Sequence, residues 1–148
     1  MKKYFVLFSL FFFSITTFAQ NEIPLDNKRF SANWFDDLEK AKQSPDQVYY
    51  LDLSLRKLKE FPKEIFTFKN LKELYISYNY WPTIPEGLGK LTQLEILDLS
   101  GNYYLNTLPN DLAELNKHLK SLTIKDNKLK AGEIEKLKKA LPQVNLVY

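Results

Sequence analysis

From Val48 onward, apolar residues return in a spacing that is neither helical nor a simple alternation. Leu71, Leu74, Ile76, Asn79, Ile84, Pro85, Leu88 and Leu91 align on Leu94, Leu97, Leu99, Asn102, Leu108, Pro109, Leu112 and Leu115. The same frame appears earlier as Val48, Leu51, Leu53, Arg56, Leu58, Phe61, Pro62, Ile65 and Phe68, and later as Leu119, Leu122, Ile124, Asn127 and Leu129. A truncated fifth copy follows as Leu141, Val144 and Leu146, and successive copies start 23, 23, 25 and 22 residues apart. Self-similarity at such a period predicts stacked units that bury their apolar faces only against one another.

The spacing within a unit predicts its course. With the first apolar residue as position 1, positions 4 and 6 share one face of an extended segment, and positions 3, 5 and 7 face the opposite way. Each unit therefore supplies one short parallel strand with an apolar inner face. Asparagine at position 9 stands where the chain leaves the strand, and its carboxamide can both donate to and accept from the backbone of adjacent units. Arg56 has no acceptor, so the first unit loses that bond or replaces it with water. Pro62, Pro85 and Pro109 set extended geometry where the return segment begins.

The two ends differ from the middle. Asn33 is a candidate cap for a helix carrying Trp34, Leu38 and Ala41 at helical spacing, with Asp36 and Asp37 in its first turn. Ser44-Pro45 ends it. Such a helix would cover the open core of the first unit, with Trp34 as a lid. In the last full unit, Gly132 to Ala140 places Ile134, Leu137 and Leu141 at helical spacing, which predicts a helix on the convex side before a closing strand from Gln143 to Tyr148. The fold class is α/β: a solenoid with a short parallel sheet on its concave face.

The L-x-x-L-x-L-x-x-N-x-L frame, written as Leu71 to Trp81 and again as Leu94 to Leu105, resembles the leucine-rich repeat family. The resemblance covers Val48 to Tyr148. Two positions depart from it: Arg56 replaces the first asparagine, and Trp81 stands where leucine is usual. The resemblance implies protein–protein interaction.

Composition changes the picture at the N-terminus. Lys2 and Lys3 precede an apolar run from Phe5 to Ile15, and Thr17-Phe18-Ala19 offers small residues at a cleavage site before Gln20. This reads as a secretory signal peptide, too short to be a membrane span, and predicts a secreted or periplasmic protein. The expected organisation is a signal peptide over 1–19, an arm and capping helix over 20–47, and four repeats plus a closing strand over 48–148. The formal charge of +3 falls to about +1 without Lys2 and Lys3, which excludes a polybasic nucleic-acid surface.

Candidate chemistry is sparse. The chain holds one histidine, His118, and no cysteine, so neither a His/Cys metal cluster nor a cysteine nucleophile is available. No cofactor or catalytic residue is expected, and a small hydrolase built on His118 is the weakest reading. Binding is the stronger one. Positions 3 and 5 give Tyr50, Glu73, Asp52, Tyr75 and Asp98 on the outward strand face, and positions 8 and 10 add Tyr78, Tyr80 and Tyr103, with Tyr104 beyond. Tyrosine combines contact area with a hydrogen-bonding tip. These residues form the expected partner-binding surface for a protein or peptide, with a cell-surface glycan on the aromatic cluster as the alternative. A flat strand face of this size is only on the order of 200 Å², against ~800 Å² per partner in a standard interface, so flanking loops must contribute.

Overall fold

A computed structural model describes residues 31–148. The expected signal peptide and most of the expected arm lie outside the described residues. Six parallel strands form one sheet in strict sequence order: β1 (Trp34–Phe35), β2 (Tyr50–Asp52), β3 (Glu73–Tyr75), β4 (Ile96–Asp98), β5 (Ser121–Thr123) and β6 (Asn145–Val147). Register follows the repeat, pairing Leu51 with Leu74, Leu74 with Leu97, Leu97 with Leu122 and Leu122 with Leu146. Position 4 pairs with position 4 from the first copy to the fourth, so each inward leucine lands on the leucine of the next turn; Leu122 then meets Leu146 and not Val144, so the closing strand enters the sheet two residues later than the frame of the expected fifth copy. Leu51, Leu74, Leu97 and Leu122 are all buried. One continuous core runs from Ala41 to Val144 and includes Phe68, Trp81, Leu91 and Leu115.

The convex side is built mainly of 3-10 turns. Lys63–Thr67, Leu88–Lys90 and Asn110–Lys117 each follow a repeat proline and return one apolar row inward. Adjacent turns clasp through two carboxylates. Glu86 accepts the backbone N–H groups of Asn110 (3.0 Å) and Asp111 (3.1 Å), while Asp111 accepts those of Gly87 (2.6 Å) and Gly89 (3.1 Å). The donors hold the Glu86 carboxyl below its ordinary range, whereas burial pushes that of Asp111 up against the same kind of donation. Among the repeat turns of the described residues an α-helix occupies only the last, α2 (Ala131–Ala140), with Ile134 and Leu137 against the core as their spacing requires.

The N-terminal end corrects one expectation. A helix is present, α1 (Leu38–Gln43), and Ala41 and Leu38 do cover the first turn's core. It starts four residues later than Asn33 implies, because Asp37 is the cap and accepts from the N–H groups of Glu39 (2.8 Å) and Lys40 (3.2 Å). Trp34 and Phe35 instead form β1, in register with Tyr50 and Leu51. The backbone of Asn33 makes this possible: its carbonyl accepts the N–H of Tyr50 at 3.1 Å, drawing the segment into the sheet.

Candidate functional site

The asparagines leaving the strands set the geometry of everything outside them. The Nδ2 of Asn79 donates to the carbonyls of Leu53 (3.0 Å), Ile76 (3.2 Å) and Ser77 (3.1 Å), and its Oδ1 accepts the N–H of Leu58 at 3.0 Å. Asn102 repeats the donation one turn on, to Ile76 (3.2 Å) and Leu99 (2.7 Å), and Asn127 follows with Leu99 and Ile124. Arg56 cannot join this ladder. Its guanidinium turns outward and donates to the carbonyl of Asp36 at 2.6 Å, so the missing asparagine becomes a tether for the N-terminal segment.

Just before each asparagine, and before Arg56 in its place, the backbone turns left-handed. Leu55, Tyr78, Gly101 and Asp126, all at position 8, have φ of 62°, 54°, 66° and 59°. The N–H groups of Leu55, Tyr78 and Gly101 then reach the carbonyls of Ser77, Ser100 and Lys125 in the following turn. Only glycine adopts this conformation without cost. Leu55 adopts it while 69% exposed, so no burial of its side chain offsets the strain. The Tyr78 ring lies over Gly101, where a Cβ would meet the ring at 2.5 Å.

The strand face holds five of the predicted residues. Tyr50, Asp52, Tyr75 and Asp98 are half-buried, and Glu73 is buried at 5% exposure. Asp52 pairs across Tyr75 to Asp98 in register. Tyr75 donates its hydroxyl to Glu73 Oε2 at 2.8 Å, and burial followed by this bond pushes its phenol well above the ordinary range. Each aspartate accepts a backbone N–H two residues on, Ser54 for Asp52 (3.0 Å) and Ser100 for Asp98 (2.9 Å), which fixes its rotamer.

Sequence reasoning missed the centre of this face. Trp34 is half-buried and is no core lid: its ring stacks on Tyr50 and on Tyr75, each at 5.9 Å between centroids. Two strand residues are too few to show a period of two, so no spacing signal could place it. The result is a cleft of about 420 Å³ with Trp34, Leu55 and Tyr78 around it and Asp52, Tyr75, Ser77 and Asp98 lining it. It joins aromatic surface to carboxylates.

The remaining tyrosines stand on the loop edge, where Tyr78 also borders the strand-face cleft. Tyr78, Tyr80, Tyr103 and Tyr104 are all exposed. Contact joins Tyr80 to Tyr104, with ring centroids 6.2 Å apart and planes at 84°. His118 ends the 3-10 turn after Asn110, is exposed, and donates its backbone N–H to Leu115. Among the described residues no group of histidine and carboxylate side chains could hold a metal ion, and no helix is long and apolar enough to cross a membrane.

Comparison with known proteins agrees with this architecture. Two leucine-rich repeat models match, one over residues 46–103 and one over residues 93–115. Human Toll-like receptor 1 is 26% identical over 96 residues, covering 57% of this chain and 12% of the receptor. The CCR4-Not complex 3'-5'-exoribonuclease subunit Ccr4 of Aspergillus oryzae is 39% identical over 59 residues, covering 39% of this chain and 8% of that protein. The chain thus spans about a tenth of the length of these curated relatives. A leucine-rich repeat protein of Leptospira interrogans superposes with a TM-score of 0.53 at 25% identity, over 78% of this chain and 35% of that one. With the repeat frame, the parallel sheet in sequence order and these matches together, the chain is a leucine-rich repeat protein.

Proposed function

We propose that this protein is a non-catalytic, exported protein-binding module, and that the strand face is its principal contact surface. The observation that carries this reading is the stack of Trp34 on Tyr50 and Tyr75 beside Asp52 and Asp98. Aromatic groups with polar tips, held on a rigid sheet, lose little conformational entropy when a partner covers them. Three carboxylates on the face, Asp52, Glu73 and Asp98, favour a partner segment bearing cationic side chains. The N-terminal pattern of Lys2, Lys3 and the apolar run supports export to the periplasm or beyond.

Site-specific photocrosslinking in the expressing cell tests the assignment. Benzoylphenylalanine placed at Tyr75 or Tyr78 should give one discrete protein adduct that the same group at Lys90, on the convex side, does not. Adducts from Lys90 with none from the strand face would overturn it. Export is tested separately, by N-terminal sequencing of the cell-free fraction: a start at Gln20 is expected, and full-length chain retained in the cytoplasm would refute it.

A further inference from the structure

The loop edge differs from the strand face in charge and in chemistry. Tyr80 and Tyr104, 42% and 54% exposed, meet edge to face and form an open cleft of about 380 Å³ with Pro82 and Lys59. Tyr104 is present because the third repeat carries one residue more than the second between its asparagine and the next buried side chain, Leu105 in place of Trp81. The extra residue lets both Tyr103 and Tyr104 emerge, and the second reaches back to Tyr80. Lysines flank the pair, with Lys57 in the preceding turn and Lys128 in the following one, where its Nζ lies 5.5 Å from the centre of the Tyr104 ring. The loops of the two middle turns, 77–82 and 100–109, hold no carboxylate, while Glu60 and Asp126 are the acidic residues of the flanking loops. No ion pair among the described residues engages Lys57, Lys59 or Lys128.

The backbone beneath this cleft is tied. Tyr80 N–H donates to Leu58 O at 2.8 Å, Asn106 N–H to Pro82 O at 3.2 Å, and Lys128 N–H to Leu105 O at 2.9 Å. Each bond joins one repeat's loop to the next, so the cleft is formed before any partner arrives.

We propose that this edge is a second docking surface, separate from the strand face, and that it takes an extended acidic peptide anchored by proline. Two exposed ring faces set at right angles match the flat, preformed side of a polyproline II segment, which costs little entropy to bind. The lysine rim selects acidic neighbours of that proline. This inference deepens the protein-binding reading, but it concerns a different surface and stands or falls separately.

Fluorescence anisotropy on the purified full chain tests it with three short labelled peptides: one of prolines spaced by aspartates, its lysine-for-aspartate isomer, and its glycine-for-proline isomer. The first should bind with a Kd below about 1 mM that weakens as salt rises. Each isomer should bind at least tenfold more weakly, and so should the first peptide to Y80S or Y104S protein of unchanged circular dichroism. Tyr75→Ala, on the strand face, should leave that Kd unchanged. Equal binding of the lysine or glycine isomer, insensitivity to Tyr104→Ser, or no binding of the first peptide at millimolar concentration would overturn the proposal. Loss on Tyr75→Ala alone would move the contact to the strand face, sinking this inference while leaving the protein-binding reading intact. A sulfated oligosaccharide that displaces the peptide and binds Y104S equally well would show a simple polyanion surface, and would overturn it too.

Discussion

The backbone N–H of Asn79 donates to the side-chain Oδ1 of Asn102 at 2.9 Å, so each of these two buried residues ties its own turn to a neighbour. Asn79 makes four further bonds through its carboxamide. Asn79→Ala strands several buried backbone groups, each costing ~1–3 kcal/mol when unsatisfied. Urea denaturation should show a loss of about 3 kcal/mol or more. Arg56→Ala, at the equivalent position but exposed, should cost less than about 1 kcal/mol.

The sheet register makes a paired test. Leu97 is buried between Leu74 and Leu122, whereas its neighbour Asp98 lies half-buried on the opposite face. Leu97→Asp places a charge in the shared core without a partner and should cost at least ~4 kcal/mol, seen as loss of the cooperative thermal transition. Asp98→Ala gives up one bond to the Ser100 N–H and should cost about 1 kcal/mol.

Position 8 carries strain that glycine would relieve. Leu55 has φ of 62° and an exposed side chain, so Leu55→Gly should stabilise the fold by roughly 0.5–1 kcal/mol after the entropy of glycine in the unfolded chain is counted, seen as a higher denaturation midpoint. Gly101→Ala should act the other way. It adds a Cβ in the left-handed region, 2.5 Å from the Tyr78 ring, and should destabilise by ~1–2 kcal/mol while shifting the Tyr78 resonances in an NMR spectrum.

Stability should depend on alkaline pH through Tyr75. Burial and the bond to Glu73 raise its folded-state pKa, while in the unfolded chain it ionises near the ordinary value of about 10. A raised folded pKa contributes stability that is complete below the unfolded value and lost as pH rises above it. Between about pH 8 and pH 11, wild-type protein should therefore lose more stability to denaturant than Tyr75→Phe. A parallel decline in the two proteins would show that Tyr75 ionises as readily in the fold as out of it.

The repeat frame was legible in the chain because burial at every turn is periodic. Positions 1, 4 and 6 must be apolar wherever a shared core passes through them, and Val48, Leu71, Leu94 and Leu119 mark it without ambiguity. The strand register, the asparagine ladder and the helix Ala131–Ala140 follow from the same constraint. Trp34 lay beyond that reach, since two residues of strand carry no period. Its helical spacing to Leu38 and Ala41 was coincidental once Asp37 had supplied the cap.

Sequence by itself thus determined which side chains face inward, for inward positions are fixed by a repeating demand for apolar contact. The tertiary structure alone decided which outward side chains meet. Trp34 reaches Tyr75 from two strands away, and Tyr104 reaches Tyr80 from the next turn. Outward positions answer to no periodic demand, so their contacts depend on where β1 joins the sheet and where one inserted residue lets a loop emerge.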